Sequence, residues 1–416
     1  MPKNTIFVQI ACYRDLQLVP TLRSLFENAK YPNNLRIGLA WQRTSEESLE
    51  EFAGDSRIVV LDIPAEEAKG VCWARNMLQY LYSGEEYTLQ LDSHHRFIKH
   101  WDSKLIKMVK DLQKEGYKKP LITSYLPHYD PDSDHKVEEP WKLNFQRFLP
   151  EGPAFPVPEG IDNFQELDRP VPARFYSAHF AFSVGEFARE VPHDPDFYFH
   201  GEEPSIAARA FTHGYDLFHP HFIVGWHEYT REGKPKHWDD NEWVEKNNNS
   251  YKKYRKLFSV GGETYDPKEF GRFGLGKERS LEDYKRYSGV DLSAKTAQDW
   301  ARKGEAPPAP YDFSSEEDYL ESFKDYNKQV ANVHISEINR DLTYDFWAII
   351  FKDEVGEEVY RLDANKEEVE SIFNTVDGDW YNVWREWYGK EATQYVVWPH
   401  TEEEGWMKPI DRQLAH

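Results

Sequence analysis

Cysteine is nearly absent. Cys12 and Cys72 are the only two in 416 residues, which excludes a disulfide-framed secreted domain. Both lie in apolar surroundings, where buried free thiols are expected. Also missing is any apolar run of the ~18 residues that a membrane-spanning helix needs. Met1-Pro2-Lys3-Asn4-Thr5 leads straight into a strand-like segment, without the apolar core of a signal peptide. These absences predict a cytoplasmic protein with no membrane partner. Positive charge is scarce as well: 51 Lys and Arg face 73 Asp and Glu, a formal net charge of −22 at pH 7. That balance disfavours nucleic acid or an anionic membrane as main partner. It still admits a nucleotide whose diphosphate is neutralised by a divalent ion and local arginines.

What is present is a core-forming chain, 39% hydrophobic and 15% aromatic, long enough for two or three domains at about 150 residues each. Its first part alternates strand and helix patterns. Strands are expected at Thr5–Ala11, Leu35–Trp41, Arg57–Ile63, Tyr87–Asp92 and Pro120–Tyr125. Helices are expected at Leu18–Ala29, Ser45–Phe52, Val71–Tyr82 and Trp101–Gln113. Such alternation implies a mostly parallel sheet, with ligands at the carboxyl ends of its strands. Residues 126–172 read as one long loop facing an acceptor. Ala173–Val184 reads as a buried strand or hairpin and Glu203–His213 as a helix. Gly304-Glu305-Ala306-Pro307-Pro308-Ala309-Pro310 reads as linker. The expected domains are 1–300, a linker at 301–330, and a small α+β accessory domain at 331–416. In that domain Tyr344–Phe351 and Val359–Leu362 form a hairpin, followed by a helix at Lys366–Asn374. Its aromatic residues, Trp380, Trp384, Trp387 and Tyr388, would suit a homodimer or an acceptor.

The chemistry concentrates where the fourth strand ends. Asp92 and His94 stand two apart, on one side of an extended segment, and an oxygen with an imidazole nitrogen suits Mn2+. A strand end with solvated polar residues would look the same. His227, followed by Glu228, Tyr229 and Arg231, is a candidate third ligand; a lone histidine is more often structural. Gly201-Glu202-Glu203 precedes a helix, so its carboxylates either hold sugar hydroxyls or simply suit the helix dipole. Gly70-Val71-Cys72-Trp73-Ala74-Arg75 opens a helix where Arg75 can meet a diphosphate. Tyr13, Arg14 and Asp15 end the first strand, where base and ribose would lie.

Taken in order, these blocks form a pattern: Ile10-Ala11-Cys12-Tyr13-Arg14-Asp15, Gly70-Val71-Cys72-Trp73-Ala74-Arg75, Asp92-Ser93-His94-His95-Arg96-Phe97, Phe199-His200-Gly201-Glu202-Glu203, His227-Glu228-Tyr229-Thr230-Arg231 and Gly274-Leu275-Gly276-Lys277-Glu278-Arg279-Ser280. The chain resembles the cytoplasmic hydroxyproline (Skp1-type) polypeptide N-acetylglucosaminyltransferase family over roughly residues 5–291. More distantly it is similar to the mucin-type polypeptide N-acetylgalactosaminyltransferases. The resemblance implies a GT-A type α/β fold with a Rossmann-like mixed sheet. It also implies a UDP-GlcNAc donor, Mn2+, retention of anomeric configuration, and transfer to a protein or glycan hydroxyl. By position Asp92, His94 and His227 look like metal ligands. Asp92, Arg75, Glu202 and Glu203 look catalytic, and Tyr13, Arg14, Asp15, Arg75, Asp92, Ser93 and His94 look donor-binding. A different UDP-sugar, a glycan acceptor, or an inactive sugar- or protein-binding module are the competing readings.

Overall fold

A computed structural model describes residues 3–133, 135–230 and 234–414; Arg231 lies outside them. The chain divides into two compact units, Met1–Phe313 and Ser314–His416. The division falls inside the expected linker at 301–330. That stretch also carries a helix, Glu316–Glu321, and the start of a strand, Phe323–His334.

The first unit is built on β1 (Ile6–Tyr13), β2 (Leu35–Arg43), β3 (Ile58–Pro64), β4 (Tyr87–Asp92), β5 (His95–Phe97) and β6 (Pro120–Thr123). It continues with β7 (Trp141–Phe148), β8 (Ala154–Gly160), β9 (Val171–Pro172), β10 (Phe180–Val184), β11 (Asp216–His219) and β12 (Gly225–His227). The central sheet runs β3-β2-β1-β4-β10-β6-β11-β9. β1 is apolar along nearly its whole length because it is covered on both faces, as parallel strands are. It pairs parallel with β2 (Ile6 opposite Leu35) and with β4 (Ile6 opposite Tyr87).

Helix α1 (Leu18–Asn28) buries Leu18, Leu22 and Leu25, one face at i, i+4 and i+7. α2 (Val71–Gln79) and α3 (Trp101–Lys114) follow. The buried Trp101 donates its indole N–H to the Leu25 carbonyl at 3.0 Å, tying α3 to the end of α1. The faces of α1 and α3 close on Val8, Ile10, Leu39, Leu89 and Leu91 to make the main core, while α2 packs Ala74 and Leu78 with Ala40 in a smaller cluster.

The sheet is mixed, as the resemblance implies: β10 runs antiparallel between β4 and β6, with Phe180 opposite Leu91. Other features depart from the sequence-based expectation. Residues 126–172 are not one loop: β7 and β8 form a hairpin with Trp141 opposite Gly160. Pro156 and Pro158 within β8 conceal its strand pattern. Prolines are admissible there because the pairing is only two-stranded, leaving edges that need no N–H. In addition, the acidic helix expected at Ser45–Phe52 reduces to a single 3-10 turn at Glu50–Phe52.

The second unit has two antiparallel sheets. In one, Phe323–His334 pairs with Trp380–Tyr388, placing His334 opposite Trp380. In the other, Tyr344–Lys352 pairs with Glu358–Arg361 and with Gln394–Thr401. The helix Lys366–Asn374 packs with Trp347, Ile349, Tyr381 and Val397 into a separate core.

Gly185, just after β10, marks a close approach. A Cβ there would sit 1.9 Å from the Glu85 carbonyl oxygen, while its own N–H donates to Glu86 O at 2.9 Å. Gly185→Ala is therefore expected to lower stability by about 1–3 kcal/mol or more, read as a fall in thermal midpoint with the native circular dichroism spectrum kept at low temperature.

Candidate metal and donor site

A cavity of about 560 Å³ opens at the carboxyl ends of β1 and β4, with Tyr13, Arg75, Asp92, His94, Glu202 and His227 in its wall. Ligands collect at such strand ends because chain connections leave a crevice there. β4 delivers Asp92 to the rim and turns through Ser93 and His94 into β5. β12 then pairs antiparallel with β5, setting His227 opposite His95. Residues about 130 positions apart in sequence are thereby brought together.

Asp92 Oδ2 lies 4.0 Å from His94 Nε2 and 3.7 Å from His227 Nε2. The three donor atoms lie within 4.8 Å of one another. Beneath them the buried carboxylate of Asp15 accepts from Ser93 Oγ at 2.6 Å and pairs with His94 Nδ1 at 2.7 Å. A carboxylate on the outer nitrogen orients an imidazole ligand and fixes its tautomer, leaving His94 Nε2 to face Asp92. One carboxylate oxygen and two imidazole nitrogens make a donor set that fits a borderline divalent ion.

Arg75 is buried beside this triad. Its two Nη groups donate to Asp92 Oδ1 at 2.6 Å and to Glu202 Oε1 at 2.5 Å. Burial opposes ionisation of Asp92, yet the charge of Arg75 and the contacts from His227 and His94 outweigh it. The carboxyl is held well below the usual range. Burial dominates at Glu202 and raises its pKa despite Arg75. Cys72, a free thiol as expected, donates to Glu202 Oε2. Burial and that neighbouring carboxylate push the thiol well up. Gly201, at φ +94°, starts the buried helix α4 (Glu202–Thr212). The two glutamates do occupy a first helical turn, but both side chains line the cavity.

Glu203 accepts from the Tyr125 hydroxyl at 2.5 Å and from the Ala178 N–H at 2.8 Å. Desolvation lifts its pKa to about 7, partly offset by those two donors.

The first-strand residues separate in the structure. Tyr13 lines the cavity and donates to Asp240 Oδ2 at 2.7 Å. Arg14, in the left-handed region at φ +44°, ion-pairs with the same oxygen at 2.7 Å. Asp15 lies under His94. Arg14 and Asp15 are not in the cavity wall. Sequence reasoning missed Tyr125 and His179. His179 reaches the wall because β10 runs antiparallel into the end of β4, an arrangement without a local sequence signal, and Tyr125 follows the carboxyl end of β6 on the other side of β10.

Glu203 generates a prediction. Its folded pKa exceeds the ordinary 4.5, so between pH 4.5 and about 7 the folded state holds a proton that the unfolded state has lost. Stability then falls as pH rises through that window, by about 3 kcal/mol at 1.36 kcal/mol per unit. Glu203→Gln should remove that loss. The variant should melt higher than the parent at pH 8, with a smaller difference at pH 5, in paired thermal denaturation.

Residues 5–53 and 46–294 match the family described as Glycosyltransferase (GlcNAc). No curated protein shows a significant match. Among solved structures, GalNAc-T7 with UDP, GalNAc and Mn2+ is 15% identical with a TM-score of 0.48. The similarity covers 68% of this chain and 54% of that one, so this chain spans about half the length of its relative. S. aureus TarS 1-349 in complex with UDP-GlcNAc is 12% identical (TM-score 0.37), covering 57% of this chain and 61% of that one. Mannosyltransferase PcManGT from Pyrobaculum calidifontis, in complex with GDP-Man and Mn2+, is 13% identical (TM-score 0.35), covering 56% and 61%. The family match spans more than half of the chain and takes in the triad, Arg75 and both glutamates: this protein belongs to the Glycosyltransferase (GlcNAc) family.

Proposed function

We propose that this glycosyltransferase moves N-acetylglucosamine from UDP-GlcNAc to a hydroxyl acceptor, protein hydroxyproline being the acceptor favoured by the sequence resemblance, with retention at the anomeric carbon. The observation that carries the reading is the convergence of Asp92, His94 and His227 on one cavity, beside a buried arginine. The Asp92, His94 and His227 set would hold a divalent ion, Mn2+ in this reading, which supplies charge neutralisation for the donor diphosphate.

The chain's own residues supply the rest. Asp92 remains ionised because Arg75 holds it so. Asp15 keeps His94 Nε2 turned to Asp92. Arg75 donates to both carboxylates and so acts on the reaction by fixing Asp92 and Glu202 rather than as a free cation. The wall of the cavity limits water around the departing phosphate, which strengthens every charge interaction there.

No side chain needs to act as a nucleophile. In front-face substitution the glycosidic C–O bond to UDP breaks as the acceptor oxygen bonds the same face, and the acceptor proton passes to the leaving phosphate oxygen. Glu203, with its pKa near neutrality, is suited to hold the acceptor hydroxyl. The two buried cysteines, neither in a disulfide, agree with a reducing cytoplasmic setting. Among the described residues no helix is long and apolar enough to cross a membrane.

Release of UDP across a panel of UDP-sugars with Mn2+ tests the donor, and NMR of the product tests retention. UDP-GlcNAc should be turned over fastest and chelation should stop it. Asp92→Ala should lower kcat/KM by at least about 1,000-fold; full activity in that variant overturns the site. Asp15→Ala should weaken Mn2+ binding about 10–100-fold, as loss of an outer partner does, read by titration of the ion with the fold intact.

A further inference from the structure

We propose that His95, His179 and His227 form a second divalent-cation site, of the zinc type, which shares His227 with the Asp92–His94 set. Their donor atoms all lie within 4.8 Å of one another, and all three residues are buried.

His95 Nδ1 lies 3.1 Å from the Asp92 carbonyl oxygen. A carbonyl only accepts, so Nδ1 carries the proton and Nε2 of the neutral ring presents a lone pair. The Tyr229 hydroxyl has one proton, and Leu126 O, at 2.8 Å, is its nearer acceptor; His179 Nε2 is 3.3 Å away. With that proton on Leu126 O, the Tyr229 oxygen accepts from His179 Nε2–H. His179 Nδ1 is then left with a lone pair as well. The two lone pairs face each other, His95 Nε2 to His179 Nδ1, at 3.4 Å.

Two nitrogens bonded tetrahedrally to zinc at about 2.0–2.1 Å lie about 3.3–3.4 Å apart. Each outer nitrogen is meanwhile held by an oxygen, as metal-bound imidazoles are. His227 stacks on His179 with centroids 4.0 Å apart, and one of its nitrogens lies within 4.8 Å of the other two donors. Zinc binding would then withdraw His227 from Asp92 and His94 and inhibit transfer. That consequence rests on the catalytic reading above; the site itself does not.

The test separates the two sites in the full-length Asp92→Asn chain, titrated with zinc and with manganese by calorimetry. The variant should lose Mn2+ yet bind one Zn2+. Adding His179→Gln should weaken zinc at least about 100-fold, whereas adding His94→Gln should change it less than about threefold. Zinc affinity that follows His94 instead of His179, or no zinc binding in Asp92→Asn, overturns the proposal. X-ray absorption on zinc-loaded Asp92→Asn decides it without the double variants: three imidazoles at about 2.0 Å support the site, and fewer overturn it.

Discussion

Arg75 lies between Asp92 and Glu202, and the site is organised around that contact. One guanidinium joins the end of β4 to the start of the Glu202–Thr212 helix, two elements separated by more than a hundred residues. Its planar fork can address two carboxylates at once, which a lysine ammonium does not do with the same geometry. The cost of burying three charged groups is offset only while all are paired; removing one partner from such an arrangement typically costs about 3–5 kcal/mol. The same contact keeps Asp92 ionised, so that a carboxylate oxygen stands beside the Nε2 atoms of His94 and His227. Fold stability and ligand chemistry are therefore coupled at one side chain.

Around this pair the imidazoles are arranged by backbone pairing. The β5–β12 ribbon sets His227 against His95. Asp15, fixed after β1, holds His94 from below, and β10 brings His179 to the other side. Each ring has a different second partner: a carboxylate for His94, a main-chain carbonyl for His95, a tyrosine for His179. These partners, more than the rings, set which nitrogen is available for a cation. A chain of formal charge −22 suits this task, since its field attracts divalent cations while discouraging polyanions.

The local elements were legible wherever a single period ran uninterrupted. β4 and the Lys366–Asn374 helix have the bounds that their patterns predict, and Leu18, Leu22 and Leu25 mark the buried face of α1. Asp92 and His94 were legible because two residues apart on an extended segment is a statement about one strand. The β7–β8 hairpin was not, because Pro156 and Pro158 interrupt its alternation. The Ser45–Phe52 segment misled because its acidic residues are helix-compatible in composition but fold to only one turn.

By itself, then, the sequence determined which chemistry was available: a carboxylate and an imidazole at a strand end, an arginine one turn into a helix, two glutamates after a glycine, and no disulfides. Tertiary structure decided how they are used. Asp15, expected among donor-binding residues, is buried as the support of His94, and Arg14 is engaged by Asp240. Arg75 meets carboxylates. His179 reaches the cavity through the reversed direction of β10. The physical reason is common to all of these. Strand periodicity fixes which side of a segment a residue faces, but what it faces depends on pairing between segments distant in sequence, and that is set by burial of the shared core.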